Sequence, residues 1–355
     1  MEAGPLDRHD LPQRVQKALN AFVASQLGLL DAISDELSPL TDALTELIAG
    51  GKRLRPAFCY WGYRGAGGED SDELVTAATA LEMFQACALI HDDVMDGSDT
   101  RRGRPAVHRR FASQHRAESW VGDPEAFGMG AAVLLGDMCL AWSDEMLSTS
   151  GLPAQGLLAG HRVFDEMRTE LMGGQYLDLL EQARGGGSVE RALRVARFKS
   201  AKYTIEKPLH LGAVLAGGPP EVCRAYSAYG LPLGEAFQLR DDVLGVFGDP
   251  AVTGKPAGDD LREGKRTVLV AMALETASPT QAGVVRRHLG DPHLSPDGVA
   301  RLREVLEATG GRSRVETMIE QRVQESLSAL EQAPVTDEAR AALHGLAVAA
   351  TARSV

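Results

Sequence analysis

From about Leu11 onward, apolar residues recur every three to four positions, which predicts a series of amphipathic helices. Short stretches rich in Gly, Pro and Asp interrupt this period. They lie at 65–73, 102–110, 150–156, 183–188, 217–221, 248–258 and 289–298. None is long enough to link two domains, and no internal repeat is visible. The pattern predicts an all-α fold of about ten to fourteen helices packed as one bundle-like domain.

The two ends of the chain and one internal segment depart from this pattern. Residues 1–10 have no apolar periodicity and are expected to form a disordered lead-in, so the main domain runs from 11 to 334. Residues 335–355 fit either a terminal helix or a loosely packed tail. Segment 112–128 is expected to be a loop insertion. A helix is expected to begin near residue 72, with Ser71 or Asp72 as its N-cap.

Composition narrows the function. The 355 residues carry a net charge of −12, which argues against binding to nucleic acid or to anionic membranes in general, although local basic clusters can still hold an anionic substrate. The four cysteines are far apart and lack metal-ligand spacing, as in a reduced, cytoplasmic protein. The most apolar stretches are interrupted by charge or Gly within 18 residues, so no membrane span is expected.

The stretch LEMFQACALIHDDVMDGSDTRRGRP, residues 81–105, carries the first candidate chemistry. Asp92 and Asp96 stand four residues apart, so on a helix their carboxylates share one face about 6 Å apart. Two like charges at that distance suit a shared Mg²⁺, and Arg101 and Arg102 follow as phosphate-binding guanidinium groups. Asp93 points about 100° away. An exposed acidic helix end followed by a basic turn remains the alternative.

Two further stretches contain candidate binding residues. GGKRLRP, residues 50–56, places three cations after two glycines and fits either a second anion site or a solvated basic turn. QLRDDVLGVFGDP, residues 238–250, sets Asp241 and Asp242 in a mostly apolar helix, and a Gly-rich loop with Lys255 and Lys265 follows. Position 245, where a carboxylate would share a face with Asp241, is Gly.

Together these stretches resemble the trans-isoprenyl diphosphate synthases, the polyprenyl synthetase family. Between about 45 and 270 the chain carries, in family order, GGKRLRP, DDVMD with RRGRP, GQYLDL, KSA, FQLRDD and GKPAGDDLREGK. Each motif is weak alone, whereas their order and spacing are specific. The resemblance implies a helical bundle around a central substrate cavity, a homodimer, and head-to-tail condensation of isopentenyl diphosphate with an allylic diphosphate by means of a magnesium cluster.

The resemblance also implies roles for individual residues. The magnesium ligands would be Asp92, Asp96 and Asp241, supported by Asp93 and Asp242. The allylic diphosphate would be held by Arg101, Lys199 and Lys255. Isopentenyl diphosphate would be held without metal by Lys52, Arg55, Gln85 and Arg102, with Gln85 standing where many relatives have His. The allylic carbocation would be stabilised by the carbonyl and hydroxyl dipoles of Lys199, Ser200 and Gln238.

Product length is expected to depend on the helix that carries Asp92. Cys87 and Ala88 are small, so the cavity is open at the depth of a farnesyl chain, and Phe84 lies eight residues before Asp92, about 12 Å away. If Phe84 is the floor, the product is geranylgeranyl diphosphate with 20 carbons. If Phe84 only packs in the core, longer products follow, and a farnesyl product is the other alternative.

Two other classes of protein share some of these features. A non-catalytic partner subunit would lack ligands, and Gly245 is the notable gap here. A class I terpene cyclase would have no use for GGKRLRP, Gln85 or Arg102. A residue at 245 is expected to support Asp241 and not to bind the metal itself. We therefore expect a working site that binds one magnesium more weakly. Asp249 is expected to cap the end of the helix.

Overall fold

The computed structural model describes residues 8–248 and 258–351, and it confirms the all-α prediction. Its helices are α1 (Leu11–Asp31), α2 (Ser38–Ile48), α3 (Leu54–Gly65), α4 (Asp72–Asp96), α5 (Val107–Ala117), α6 (Pro124–Ser148), α7 (Ala154–Arg184), α8 (Val189–Val195), a π-helix (Ala196–Glu206), α9 (Lys207–Leu215), α10 (Pro220–Phe247), α11 (Asp259–Glu263), α12 (Val268–Thr276), α13 (Pro279–His288), α14 (Pro296–Ala308), α15 (Gly311–Glu331) and α16 (Asp337–Thr351). Two 3₁₀ turns, Arg8–Asp10 and Asp35–Leu37, precede α1 and α2.

Helix α4 has a capping residue at each end. The Ser71 hydroxyl accepts a hydrogen bond from the Leu74 amide at 3.1 Å, which is the cap expected from the sequence. Gly97 adopts φ 66°, the left-handed conformation that ends many helices. Between these two signals, 25 residues form one helix whose last turn carries Asp92, Asp93 and Asp96.

A short hairpin follows α4. Strands β1 (Thr100–Arg101) and β2 (Arg104–Pro105) pair antiparallel, Thr100 with Pro105 and Arg101 with Arg104. Both residues of the turn, Arg102 and Gly103, have positive φ, as a tight two-residue turn requires. The hairpin thus directs Arg101 back toward the carboxylates at the end of α4.

Helix α10 joins the two hydrophobic clusters of the described residues. Its residues Leu233 and Phe237 belong to the cluster built on α1, α3, α4, α6, α7, α9 and α16. Its residues Leu239, Val243 and Val246 belong to the cluster built on α8 and on α11–α15. Asp241 and Asp242 lie in the second part of this central helix.

The π-helix lies between α7 and α10. A Cβ at Gly174 of α7 would stand 2.5 Å from the Lys199 backbone nitrogen, so only Gly permits this approach of the two backbones. The approach brings the side chain of Asp178, one turn further along α7, to within hydrogen-bond distance of Lys199. Long π-helical segments are rare and occur mostly at functional sites.

Two expectations about segments can now be compared with the structure. The loop insertion at 112–128 is wrong, because Phe111, Ala112 and His115 bury one face of α5 and α6 begins at Pro124. Only 118–123 lies between these helices. The C-terminal segment forms α16, which packs against α3, α10 and α15.

Some of the residues named in the sequence analysis are outside the described part of the chain. This applies to most of the N-terminal lead-in, to Asp249 as a helix cap and to Lys255 as a phosphate ligand.

By length and composition alone, α4 and α6 could each cross a membrane. In α4, 72% of the apolar window is buried inside the protein, as in a core helix, and in α6 the share is 39%. Such helices are weak evidence for a membrane span. The exposed apolar face of α6 is considered below.

Candidate active site

A cavity of about 860 Å³ lies between α4, α7, the π-helix and α10. It is lined by twelve of the site residues expected from the sequence, namely Lys52, Arg55, Phe84, Gln85, Cys87, Ala88, Asp92, Lys199, Ser200, Gln238, Asp241 and Asp242. The fold therefore brings residues that are up to 190 positions apart in the chain to one chamber. Asp93, Asp96, Arg101 and Arg102 stand beside this chamber and contact its walls.

Asp92 is surrounded by cations. Lys199 Nζ lies 3.1 Å from Asp92 Oδ1 and 2.7 Å from Asp178 Oδ2. Arg101 Nη2 lies 3.9 Å from Asp92 Oδ2. Burial alone would raise the pKa of Asp92, but the nearby positive charges outweigh it and lower that pKa. Asp92 is therefore held as a carboxylate facing the cavity.

Asp96 differs from Asp92, because its pKa is raised and not lowered. Its side chain is only 1% exposed, and neither carboxylate oxygen has a hydrogen-bond partner among the described residues. Burial, together with the charge of Asp92, raises the pKa of Asp96 to about 6. The C-terminal end of α4 adds partial negative charge at the same place. A buried carboxylate without hydrogen bonds is the group that a bound cation would stabilise.

Lys265 holds the other side of this acidic cluster. Its Nζ lies 3.4 Å from Asp96 Oδ2, 3.6 Å from Asp260 Oδ1 and 2.6 Å from Glu263 Oε2. Burial alone would lower the pKa of Lys265, but these carboxylates raise it well above its usual value. Lys265 therefore stays charged and stands where α4 and α11 meet.

Asp93 and Arg101 form a buried pair behind Asp92. Asp93 is 2% exposed, and Arg101 Nε donates to its two oxygens at 3.0 and 3.2 Å. Arg101 is thus fixed by Asp93 while its Nη2 remains close to Asp92. This geometry agrees with a supporting role for Asp93, since it orients the guanidinium group.

A second basic group, Lys52 and Arg55, lines another part of the cavity. Arg55 stacks over the ring of Tyr203 at 4.2 Å and donates to Thr204 Oγ1 at 2.9 Å. The Tyr203 hydroxyl donates to Gln85 Oε1 at 2.6 Å, which fixes the amide of Gln85. Lys52 lines the same part of the cavity.

Arg102 and Arg53, both near Lys52, have different contacts. Arg102 Nη1 donates to the Leu47 carbonyl at 2.8 Å, and its guanidinium group lies against Gly51, beside Lys52. Arg53 is 4% exposed and pairs with buried Glu82 at 2.5 Å. Arg53, which stands between Lys52 and Arg55 in GGKRLRP, is therefore held in a buried ion pair.

The second acidic stretch lies on α10. Asp241 and Asp242 both line the cavity, and Gln238 Nε2 donates to Asp242 Oδ1 at 2.8 Å. Burial is the main cause that raises the pKa of Asp242 well above its usual value, and the charges of Asp260 and Asp241 add to it. Gln238 thus steadies a carboxyl group that is costly to ionise.

Two aromatic rings, Phe84 and Tyr203, line the cavity. Phe84 is 1% exposed and packs edge to face against Phe164 and Tyr203, with ring centroids 6.0 and 5.6 Å apart. Cys87 and Ala88, one turn closer to Asp92, leave the cavity open. The cavity is therefore lined by acidic residues and by aromatic and small apolar residues of the same helix, α4.

A family model described as polyprenyl synthetase matches residues 38–307. The chain belongs to the polyprenyl synthetase family. Among solved structures, geranylgeranyl pyrophosphate synthase from Corynebacterium glutamicum, complexed with isoprenyl diphosphate and magnesium, is 45% identical with a TM-score of 0.94 and covers 97% of this chain and 99% of its own. The chain is accordingly a prenyltransferase.

Two curated relatives show the range of similar polyprenyl synthetases. Geranylfarnesyl diphosphate synthase of Aeropyrum pernix is 32% identical over 87% of this chain and 92% of its own length. Geranylgeranyl diphosphate synthase of Mycobacterium tuberculosis strain H37Rv is 32% identical over 82% of this chain and 78% of its own length. Their names differ in product length.

The residues at the mouth fit a hard divalent cation. Among residues 8–248 and 258–351, no three His, Cys, Asp or Glu side chains stand close enough to hold a metal alone. Mg²⁺ does not need such a cage, because it takes one or two carboxylates and completes its shell with water and phosphate oxygens. The buried carboxylate of Asp96, which lacks hydrogen bonds, agrees with that donor set.

Several residues of this site escaped the sequence analysis. Asp178 lies in GQYLDL and Asp260 and Glu263 lie in GDDLREGK, two motifs that carried the family resemblance without roles for these residues. Tyr203 lies two residues after KSA, behind Lys202. Their motifs marked them, but their partners come from other helices, so spacing along the chain could not assign the contacts.

Magnesium binding should depend on pH through Asp96. With a pKa of about 6, Asp96 is charged at pH 7.5 and mostly protonated at pH 5. Because the pKa of Asp96 is raised in the folded state, its protonated form contributes to the free energy of unfolding at low pH. This contribution is lost as the pH rises through about 6, and a bound cation restores it. We expect Mg²⁺ to raise the melting temperature at pH 7.5 and to bind about tenfold more weakly at pH 5.

Differential scanning fluorimetry with Mg²⁺ alone measures this response. Asp96→Asn should abolish the difference between the two pH values, whereas Asp31→Asn, at the exposed end of α1, should leave it unchanged. An equal Mg²⁺ response of the wild-type chain at pH 5 and pH 7.5 would contradict the assignment.

Proposed function

We propose that this prenyltransferase condenses isopentenyl diphosphate head-to-tail with allylic diphosphates and releases geranylgeranyl diphosphate. The observation that carries the proposal is a single cavity lined by carboxylates and lysines, by a second basic group at Lys52 and Arg55, and by apolar residues such as Phe84, Leu171 and Leu179. Two diphosphates and a growing hydrocarbon chain each have a matching part of this chamber.

Magnesium ions are proposed to bind at Asp92, Asp96 and Asp241, with Asp93 and Asp242 supporting them. When bound, the metal neutralises charge on the departing diphosphate. Arg101, Lys199 and Lys255 are proposed to grip the same diphosphate, and Lys255 lies outside the described residues. Lys199 stays charged, because Asp92 and Asp178 raise its pKa although burial opposes this.

Isopentenyl diphosphate is proposed to bind at Lys52, Arg55, Gln85 and Arg102. The stacking of Arg55 on Tyr203 and the hydrogen bond from Tyr203 to Gln85 support this, since both groups are fixed before the substrate arrives. Gln85 cannot become cationic, so binding at this subsite relies on the three basic side chains.

The reaction follows from these placements. The bond between C1 of the allylic substrate and its diphosphate oxygen breaks, and the resulting carbocation is stabilised by dipoles of Lys199, Ser200 and Gln238. The double bond of isopentenyl diphosphate attacks the cation and forms the new carbon–carbon bond. A proton then leaves to the released diphosphate, so no side chain is needed as a dedicated base.

Product length is proposed to be set by Phe84. The ring is held by Phe164 and Tyr203 at the bottom of the cavity, while Cys87 and Ala88 leave room above it. The 45% identity to a geranylgeranyl pyrophosphate synthase supports a product of 20 carbons. The geranylfarnesyl name of another relative makes the C25 product the nearest competitor.

A homodimer in the cytoplasm is the proposed form of the protein. The outer face of α6 exposes Phe127, Met129, Val133 and Leu134, an apolar surface that a second copy would cover. The four cysteines are free, as in a reducing compartment. Sedimentation velocity should give the mass of two chains, and a monomer at micromolar concentration would overturn the dimer.

The proposed reaction is tested by incubation with Mg²⁺, isopentenyl diphosphate and each of the C5, C10 and C15 allylic diphosphates. We expect condensation with all three starters and a C20 end product on chromatography. Asp92→Asn should reduce turnover by about 100-fold or more, because the leaving diphosphate loses its metal ligand. No condensation with any starter would refute the enzyme function, and a cyclised product from an allylic diphosphate alone would favour a terpene cyclase.

The floor is tested by substitutions on α4. Cys87→Phe places a ring one turn above Phe84 and should shorten the product to 15 carbons, whereas Phe84→Ala should lengthen it. Cys87→Ser keeps the small volume and should leave the product at 20 carbons. If Cys87→Phe left the product distribution unchanged, Phe84 would be a core residue and not the floor.

A further inference from the structure

The loop between α2 and α3 is bonded to three helices through the side chain of Arg53. Its backbone has φ 50°, a left-handed conformation that a residue other than Gly keeps only when its surroundings hold it there. Arg53 Nη1 donates to Glu82 Oε2 of α4. Arg53 Nη2 donates to the Ile48 carbonyl at the end of α2 and to Gln16 Oε1 of α1, both at 2.5 Å. The N-terminal helix therefore takes part in fixing this loop.

Gln16 is itself oriented for this contact. Its Nε2 donates to Asn20 Oδ1 at 2.8 Å, one turn further along α1, which leaves Oε1 to face the loop. Besides the bond from Arg53, Oε1 accepts a longer one of 3.4 Å from the backbone N–H of Gly50. One amide of α1 thus contacts both the buried arginine and the glycine backbone of the loop.

The loop needs such a restraint because of its two glycines. Gly50 and Gly51 have φ of 78° and 108°, and a Gly backbone loses more entropy on ordering than that of any other residue. A loop that is already ordered before its ligand arrives binds the ligand at a lower entropic cost. The contacts with Gln16 and Arg53 supply that order in the free protein.

The position of the loop decides where three cations stand. Lys52 and Arg55 flank Arg53 in the chain. Arg102 of the hairpin lies against the loop, with its Nη2 3.1 Å from the place of a Cβ on Gly51. A displaced loop would therefore move these three cations together, and a shift of about 1 Å is enough to weaken the grip on a diphosphate strongly.

We propose that Gln16 is a positioning residue for the isopentenyl diphosphate subsite and acts on it through Arg53 and Gly50. The proposal rests on the function proposed above. Gln16 is not among the described residues that line the cavity, so it acts without touching the substrate. Helix α1 lies before all the motifs that carry the family resemblance, and the contact gives this helix a part in substrate binding.

The first experiment measures steady-state kinetics with Mg²⁺, isopentenyl diphosphate and a C15 allylic diphosphate. Gln16→Leu keeps the size of the side chain and removes the acceptor, so it should raise KM for isopentenyl diphosphate by about fivefold to tenfold. KM for the allylic diphosphate should change by less than about twofold, because Asp92, Lys199 and Arg101 do not contact the loop.

Two variants serve as controls. Gln16→Glu keeps an oxygen that accepts from Arg53, so it should restore KM for isopentenyl diphosphate to within about twofold of the wild-type value. Gln13→Leu changes an exposed residue of the same helix and should leave both KM values unchanged. A purely structural role of Gln16 would not separate the two KM values in this way.

The second experiment measures binding without turnover. Thermal shift with isopentenyl diphosphate in EDTA isolates the proposed metal-free subsite, and Gln16→Leu should need about fivefold more ligand for the same shift. The melting temperature without ligand reports whether each variant is folded. Should Gln16→Leu unfold, Asn20→Ala replaces it, since it removes only the exposed group that orients Gln16 and should raise the same KM by about twofold to threefold.

The outcomes are separable. An unchanged KM for isopentenyl diphosphate in a folded Gln16→Leu variant, an equal rise of both KM values, or the same effect in Gln13→Leu would each overturn the inference while leaving the proposed function intact. If Gln16→Leu unfolds, an unchanged KM in Asn20→Ala overturns it. Absence of condensation by the wild-type chain would overturn the proposed function, and the inference with it.

Discussion

The structure depends on one electrostatic constraint, the burial of several carboxylates around one cavity mouth. Asp92 and Asp96 stand in the last turn of α4, where the helix dipole already places negative charge. Such groups are unfavourable unless cations accompany them. In the described residues Lys199, Lys265 and Arg101 provide those cations, and the raised pKa of Asp96 shows that they do not compensate the charge fully.

The surrounding elements can be understood from this constraint. The π-helix brings Lys199 to Asp92, and the tight hairpin after α4 returns Arg101 toward the same helix end. Helix α11 is followed directly by Lys265, which reaches Asp96, Asp260 and Glu263. Phe84 lines the same cavity about two helical turns before Asp92 on α4, so one chamber offers both charged and apolar surface.

The sequence predicts more of the fold than of the contacts within the site. Apolar periodicity with Gly and Pro breaks indicates helices throughout, and the order of motifs indicates which residues share a cavity. It could not show that Arg53 forms a buried pair with Glu82, because Glu82 lies on the next helix. Nor could it show Asp260 above Gly245, since an absent side chain gives no signal until the neighbouring helix is in place.

Lys199 and Lys265 pair with Asp92 and Asp96, and we expect metal and diphosphate to replace them there. A crystal structure of the chain with Mg²⁺ and inorganic pyrophosphate tests this most directly. We expect metal density on the oxygens of Asp92 and Asp96, with Lys199 and Lys265 moved from these carboxylates to the pyrophosphate. Intact Lys199–Asp92 and Lys265–Asp96 pairs, with pyrophosphate bound elsewhere, would contradict it.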